Sequence, residues 1–231
     1  VDATPLGDGI VDVDLSQPGK QITLRAAIQE SNQLPGAGAI SLPAGTFTLA
    51  LSGPGEDLSA IGDLDIRQDL RIFGQGAGQT VIDADGLERV FQIFGGVTVH
   101  ISDVTITGGA VVGSEDGGGI RSGGDLTLEN VVVSNNSTLD SGGGINTSGS
   151  LSLIGSVVIG NSAAADGGGI RNTGTLNGLN SEFSENSSGV DGGALVNIAQ
   201  GDAVFNNVTF SGNTSGRDGG AVHNEAVLLL N

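Results

Sequence analysis

Apolar and polar residues alternate along this chain in short segments that glycine-rich stretches separate. Such segments lie at 64–66, 70–72, 80–82, 90–93, 97–99, 126–128 and 151–153. A strand of this length cannot bury one face by itself, whereas stacked copies of it bury a continuous apolar column. The pattern therefore predicts an all-β solenoid built from many short strands.

A fixed period strengthens this prediction. Glycine runs followed by an aliphatic residue are spaced by 25, 25, 25 and 27 residues, and begin at Gly117, Gly142, Gly167, Gly192 and Gly219. An apolar residue three positions before an asparagine keeps the same period, at Val133/Asn136, Val158/Asn161, Phe183/Asn186 and Phe210/Asn213. The repeat predicts a right-handed parallel β-helix with about 25 residues and three strands per coil. The glycine runs are expected at corners that need a positive φ.

The recurring asparagines are predicted to form a structural ladder. Stacked coils place equivalent residues about 4.8 Å apart, a spacing at which primary amides can hydrogen-bond to one another. A ligand-binding role is the weaker interpretation, because turn asparagines more often satisfy backbone groups. The ladder residues are Asn136, Asn161, Asn186 and Asn213.

One helix is predicted near residues 23–33. Leu24, Ala27 and Ile28 stand at helical spacing, and Thr23 is a suitable N-cap. A helix laid across the open end of a solenoid shields its core and its strand edges. We therefore expect an N-terminal cap at 1–38 and a β-helix at 39–231. Since the sequence stops in mid-coil, we expect the native chain to continue.

Two sequence motifs carry a family resemblance. Ile22 to Ile28 read ITLRAAI, and LPAGTFTL follows at 42–49. This pair resembles the CSLREA-type N-terminal module of secreted bacterial β-helix proteins, with Ile22 at the family's cysteine and Ala26 at its glutamate. The later coils resemble the polymorphic outer membrane protein repeat, whose GGAI-like and FxxN tetrapeptides stand here as Gly192 to Leu195 and Phe183 to Asn186. The resemblance implies a pectin-lyase-like fold at a cell surface or in the medium, with an adhesive or passenger role.

Charge and composition exclude several classes of protein. The chain has 26 acidic and 8 basic residues, and its formal charge of −18 opposes binding to nucleic acid and to anionic membranes. No apolar stretch approaches the roughly 18 residues of a membrane span. With no cysteine, the chain has neither disulfides nor thiolate metal sites.

Carboxylate pairs leave an enzymatic alternative open, because the β-helix fold also hosts polysaccharide lyases and glycoside hydrolases. Glycoside hydrolysis needs two suitably spaced carboxylates. The best candidates form two pairs that we expect on one side of the solenoid, one coil apart: Asp63, Asp65, Asp83 and Asp85. For lyase chemistry, Arg71 and Arg89 are available as bases. Aspartates beside glycines are also ordinary turn residues, so we expect a protein that is not an enzyme and requires no cofactor.

A set of aspartates precedes the glycine runs. Stacking would bring them into a rough column, and the like charges would be relieved by exposure, by Arg121, Arg171 and Arg217, or by bound Ca²⁺. Solvated turn aspartates are the simpler interpretation and calcium is the alternative. The residues are Asp116, Asp140, Asp166, Asp191 and Asp218.

These features favour an extracellular or cell-surface structural or adhesive module that presents polar side chains to glycans or surface proteins. One alternative is a carbohydrate-active enzyme that uses the aspartate pairs described above. Another is a subunit of a self-assembling filament, because the last segment, Val227 to Leu230, leaves an edge that a second chain can extend.

Overall fold

The computed structural model describes residues 23–34, 36–53, 57–198 and 200–231. These residues form an all-β parallel solenoid with one short helix, α1 (Leu24–Ser31), near the N-terminus. Every strand pairing is parallel. The solenoid prediction is confirmed. Residues 1–22, and with them most of the predicted cap and part of the CSLREA-like motif, lie outside the described residues.

Four sheets run along the solenoid, and we number them in the order in which a coil visits them. Sheet I contains β1 (Gly38–Ser41), β4 (Leu70–Phe73), β7 (Thr98–Ser102), β11 (Asp125–Glu129), β15 (Ser150–Ile154), β19 (Thr175–Leu179), β23 (Asp202–Asn206) and β27 (Val227–Leu230). Sheet II contains β2 (Gly45–Thr48), β5 (Thr80–Asp83), β8 (Thr105–Thr107), β12 (Val132–Ser134), β16 (Val157–Ile159), β20 (Glu182–Ser184) and β24 (Thr209–Ser211).

The other two sheets have shorter strands. Sheet III contains β9 (Ala110–Val111), β13 (Ser137–Thr138), β17 (Ser162–Ala163), β21 (Ser187–Ser188) and β25 (Thr214–Ser215). Sheet IV contains β3 (Leu64–Ile66), β6 (Phe91–Ile93), β10 (Ile120–Ser122), β14 (Ile145–Thr147), β18 (Ile170–Asn172), β22 (Leu195–Asn197) and β26 (Val222–Asn224). The prediction of three strands per coil was wrong, because the two-residue strands of sheet III are too short to show an alternating pattern.

Coil length is not constant along the chain. In sheet I, the register partners Leu126 and Leu151 lie 25 residues apart, as predicted. Leu70 and Val99 lie 29 residues apart, and Gly38 and Leu70 lie 32 apart. The coils therefore average about 27 residues. The predicted value of 25 holds for the regular coils and is too small for the first ones.

Left-handed turns connect the sheets. The first glycine of each run has φ between 62° and 76°, which is the positive φ that the sequence predicted there. Two further columns of positive φ, which include Asn130 and Asn135, separate sheet I from sheet II and sheet II from sheet III. The second glycine of the run is required by space, because a Cβ at Gly143 would collide with the carbonyl groups of Gly168 and Ser162.

Apolar side chains stack in columns inside the solenoid. In sheet II the register places Val133, Val158, Phe183 and Phe210 directly above one another. The first three are fully buried, and the rings of Phe183 and Phe210 stack with centroids 5.0 Å apart. The predicted alignment of these residues is confirmed, so coil stacking is what buries the core.

The predicted asparagine ladder is also present. The backbone N–H and the Nδ2 of Asn136 both donate to Oδ1 of Asn161 at 3.0 Å. Asn161 makes the same two bonds to Asn186, and Asn186 makes them to Asn213. Each Nδ2 also donates to a backbone carbonyl, for example Asn161 to Val133 at 3.0 Å. The amides thus satisfy the buried polar groups of the turn from coil to coil.

The helix closes the N-terminal end of the described solenoid. Thr23 is its N-cap, as predicted, and accepts a hydrogen bond from the N–H of Ala26. The helix ends at Ser31, slightly before the predicted end at residue 33, and Asn32 is its C-cap. Leu24 and Ile28 join the core. The buried Arg25 guanidinium donates to a group of backbone carbonyls that includes Ser59, at 3.0 Å, and Asp63, at 2.9 Å. One side chain therefore fixes the cap to the loop before β3.

Replacing one ladder residue tests the structural role of the amides. Asn161→Ala removes the acceptor for two donors and the donor to two acceptors, the Val133 carbonyl and Oδ1 of Asn186, so we expect a loss of about 3 kcal/mol in the free energy of unfolding. Urea unfolding followed by circular dichroism measures it. The matched control is Asn177→Ala on the exposed face of β19, for which we expect a change below about 0.5 kcal/mol. Equal losses in both variants would contradict the ladder's structural role.

Candidate ligand-binding groove

A groove of about 570 Å³ lies on the outer face of sheet IV. In sheet IV strands such as β10 and β18, the central residue points away from the core, since its two neighbours point inward. The register therefore places four polar side chains side by side along the floor: Gln92, Arg121, Asn146 and Arg171.

The two sides of the groove differ in chemistry. One side is formed by residues that precede the sheet IV strands, and it is acidic: Asp57, Asp63, Glu88, Glu115 and Asp116. The opposite side is formed by residues that follow the strands, and it is neutral and, apart from Phe94, small: Gly95, Gly123, Ser148 and Thr173. Cationic groups on the floor thus lie between a wall of carboxylates and a wall of hydroxyl and backbone groups.

Arg89 holds the acidic wall in place. This side chain is 2% exposed, and its guanidinium makes ion pairs with Asp63 at 2.9 Å and with Glu115 at 3.0 Å. It also donates to the backbone carbonyls of Gly117 and Asp116, both at 2.9 Å. Because these partners come from the segments before β3 and before β10, one arginine ties together coils on both sides of its own.

Burial shifts the pKa of two carboxyl groups in the groove. Desolvation raises the pKa of Asp63, and the nearby Arg89 opposes the shift without cancelling it. Desolvation likewise raises the pKa of Asp116, against the opposing effect of Arg171, whose guanidinium lies 3.6 Å away. Asp116 also accepts hydrogen bonds from the N–H of Ser141 and, at 2.8 Å, from Nδ2 of Asn146. Both carboxyl groups therefore hold their protons more tightly than exposed aspartates.

Arg121 differs from the other two groove arginines. Its side chain is exposed on the floor, in the middle of β10. Arg89 is enclosed by its partners and Arg171 faces Asp116, whereas no hydrogen bond or ion pair engages the Arg121 guanidinium within the described part of the chain. Arg121 therefore offers a cation to a molecule that enters the groove.

The four aspartates predicted to form a catalytic patch do not come together. Asp63 lines the groove, but Asp65 is fully buried and its Oδ2 accepts the N–H of Ser59 at 2.8 Å. Asp83 lies on sheet II, and Asp85 follows it in a turn with φ of 52°. The expectation of two pairs on one side was wrong, because the chain between them passes through β4 and β5 and so changes sheets.

The predicted aspartate column forms with one change of membership. Backbone hydrogen bonds between the glycine runs fix the register of the preceding residues, which are Asp116, Ser141, Asp166, Asp191 and Asp218. Ser141 takes the position expected for Asp140, which lies one residue outside the column. The irregular spacing of Asp140, 24 and 26 residues from its neighbours, was the sequence signal of this difference.

The side-chain oxygens of the column make structural hydrogen bonds between coils. Each of the first four residues accepts the backbone N–H of the equivalent residue in the next coil, as Asp166 does from Asp191 at 3.0 Å and Asp191 does from Asp218 at 2.9 Å. Arg217 also donates to both carboxylate oxygens of Asp191, and this hydrogen bonding lowers the pKa of Asp191. Arg171 and Arg217 thus relieve the charge at the two ends, as predicted, while Arg121 does not.

Within the described residues, one group of side chains could place three ligand atoms around a cation. Oxygens of Asp191 and Asp218 and a ring nitrogen of His223 lie within 4.8 Å of one another. Both oxygens of Asp191 already accept hydrogen bonds from Arg217, so a cation there would displace an arginine. Calcium binding by the column therefore stays the untested alternative to aspartates that need no metal.

Sequence reasoning missed a second amide ladder inside sheet IV. Nδ2 of Asn172 donates to Oδ1 of Asn197, and Asn197 donates to Asn224, both at 2.7 Å. Their spacing of 25 and 27 residues matches the repeat and could have revealed them. The groove itself was also missed, because most of its acidic wall, including Asp57, Asp63 and Glu88, comes from segments before the regular repeat.

Comparison with known proteins gives one short match. A model described as the Chlamydia polymorphic membrane protein (Chlamydia_PMP) repeat matches residues 207–225. No curated protein and no solved structure matches the chain. The matched segment runs from the turn before β24 to the end of β26 and so covers most of one coil. In the described residues, α1 is too short to cross a membrane, and no other helix is present.

A thermal melt tests the calcium prediction. Because the column oxygens already accept N–H and guanidinium hydrogen bonds, we expect the same melting midpoint in EDTA and in excess Ca²⁺. A ligand that binds only the native state would raise the midpoint with its concentration. A midpoint that rises with Ca²⁺ in the wild type, and does not rise in Asp218→Asn, would contradict this expectation and locate the ion.

The raised pKa of Asp116 predicts a pH dependence of stability. The native state binds this proton more tightly than the unfolded chain, whose aspartates titrate near pH ~3.9. The contribution of Asp116 to the free energy of unfolding is therefore fully present at acidic pH and is lost as the pH rises through the raised pKa of this residue. We expect Asp116→Asn to lose less stability than the wild type between about pH 4 and about pH 7. Urea unfolding across this range measures the difference, and the exposed Asp202→Asn serves as the control. Parallel curves for Asp116→Asn and the wild type would refute the shift.

Proposed function

We propose that this chain is a non-enzymatic, surface-exposed adhesion module, and that the groove on sheet IV is the surface that contacts its glycan ligands. The observation that carries the proposal is the groove itself, a concave polar surface on a rigid stack of coils. A solenoid suits this role, because repeats that each contact only their neighbours create extended binding surfaces. The module needs no cofactor for such a role.

The repeat match supports a surface location. The matched family is a membrane protein family by its printed description, and its repeat coincides here with most of one coil. The coils that contain β12 to β14, β16 to β18 and β20 to β22 have the same arrangement of strands and glycine turns. The similarity therefore extends, in structural terms, to several coils, and we infer a protein exposed outside the cell.

The lining of the groove favours glycans over protein partners. Protein interfaces depend on buried aromatic and apolar anchors. The groove offers few such groups, chiefly Ile93 and Phe94, and Phe94 lies under the guanidinium of Arg67 at 4.7 Å. Amide, hydroxyl and charged groups make up most of the rest, and these are the groups that hydrogen-bond to sugar hydroxyls.

The placement of the carboxylates supports binding without catalysis. A hydrolase needs an acid and a second free carboxylate facing one sugar bond. In the groove, Asp63 and Glu115 are both held by Arg89, and Asp116 accepts bonds from Asn146 and Ser141. Each of these carboxylates already has a structural partner. Self-association through the last coil stays a separate prediction.

Affinity electrophoresis combined with a reducing-end assay tests this proposal. Native gels that contain neutral or acidic polysaccharides should retard the protein relative to a gel without polysaccharide. The same polysaccharides, incubated with the protein, should release no new reducing ends and no unsaturated products. Retardation without cleavage is the expected result, because the groove binds sugars and holds Asp63, Glu115 and Asp116 in structural bonds.

Two outcomes would overturn the proposal. Cleavage products that depend on protein concentration would make the chain an enzyme, and Asp63→Asn would then show whether the groove is its active site. A protein that runs unretarded in every polysaccharide gel would remove the glycan-binding role. The Asn177→Ala variant, altered on the exposed face of sheet I, provides a matched sample for gel mobility.

A further inference from the structure

Three arginines line the groove, and two of them have carboxylate partners among the described residues. Arg89 is committed to Asp63 and Glu115, and Arg171 lies 3.6 Å from Asp116. Arg121 stands between them on the floor, exposed and without an ion pair among the described residues. A guanidinium that lies free in a groove presents a planar set of N–H donors that matches a carboxylate.

Next to Arg121, the floor contains a polar atom with no partner. Asn146 is 8% exposed, and its Oδ1 accepts no hydrogen bond within the described part of the chain. Its Nδ2 is already used by Asp116. The register places Arg121 and Arg171 on either side of Asn146 in the floor of the groove. A ligand that also donates a hydrogen bond, as a hydroxyl does, would satisfy Oδ1 of Asn146.

The acidic wall limits how much negative charge a ligand can carry. Five carboxylates and three arginines line the groove, so a polyanion would meet more repulsion than attraction. Only Arg121 among these arginines has no carboxylate partner in the described structure. The groove therefore suits one carboxylate at Arg121 and uncharged hydroxyl groups along Ser148 and Thr173.

We propose that the groove recognises saccharides that carry a single carboxylate, which pairs with Arg121 while neighbouring hydroxyls bond to the Asn146 amide and to the neutral wall. This inference rests on the proposed glycan-binding function and names its ligand class. It assigns the role of carboxylate receptor to one arginine of a strongly acidic chain.

Isothermal titration calorimetry with a matched pair of disaccharides tests the proposal. Cellobiouronic acid and cellobiose differ only in the carboxylate. We expect the acid to bind about ten- to a hundredfold more tightly than cellobiose, which is the range for one charge-assisted hydrogen-bonded pair. Arg121→Gln should reduce the ratio of the two affinities to about one. Polygalacturonate should bind no more tightly per carboxylate than the disaccharide.

The control variant is Arg71→Gln, which removes the same charge from an exposed strand position on sheet I, outside the groove. It should bind cellobiouronic acid like the wild type. Equal affinity for the two disaccharides, or equal losses in Arg121→Gln and Arg71→Gln, would overturn the carboxylate proposal while leaving glycan binding intact. If neither disaccharide binds and no polysaccharide retards the protein, both proposals fail.

Discussion

Strict coil-to-coil register is the constraint on which the rest of this structure depends. Each residue of a regular coil lies over its equivalent in the next one, so a buried polar side chain has copies of itself as neighbours and must find its hydrogen-bond partners beside them. Asn161 meets this condition because an amide both donates and accepts, which lets one residue type repeat along the stack. The aspartate column meets it differently, since Asp166 and Asp191 accept an N–H from the next coil. Like charges can then be neighbours, because each has a donor of its own.

The same register produces the groove, but only where the coils depart from regularity. The connection that enters sheet IV has six residues in the regular coils, as between β13 and β14, and fifteen between β2 and β3. The extra residues of the early coils build the acidic wall, including Asp57 and Asp63. The regular coils supply the floor, including Asn146 and Arg171. The groove thus forms where the long connections of the early coils lie beside the floor that sheet IV provides.

The contrast between regular coils and connections of unequal length explains which features the sequence could predict and which it could not. The columns of Val133 and Asn136 follow from a 25-residue period and needed no knowledge of the fold's details. Sheet III was missed because two residues are too few to show alternation. The groove was missed because Glu88 and Glu115 belong to connections of unequal length, whose path depends on packing that no period encodes. The aspartate pairs failed for the related reason that sequence spacing does not reveal a change of sheet.

Because basic residues are scarce in this chain, the position and the partners of each one are informative. The chain has 8 lysines and arginines against 26 acidic residues, and several of the eight have structural partners. Arg25 binds backbone carbonyls beneath the cap, Arg89 holds the acidic wall, and Arg217 pairs with Asp191. An arginine without such a partner on a flat face is surrounded by solvent and interacts weakly with anions. Arg121 instead lies in a concave surface, where screening by water is reduced and a bound carboxylate gains more.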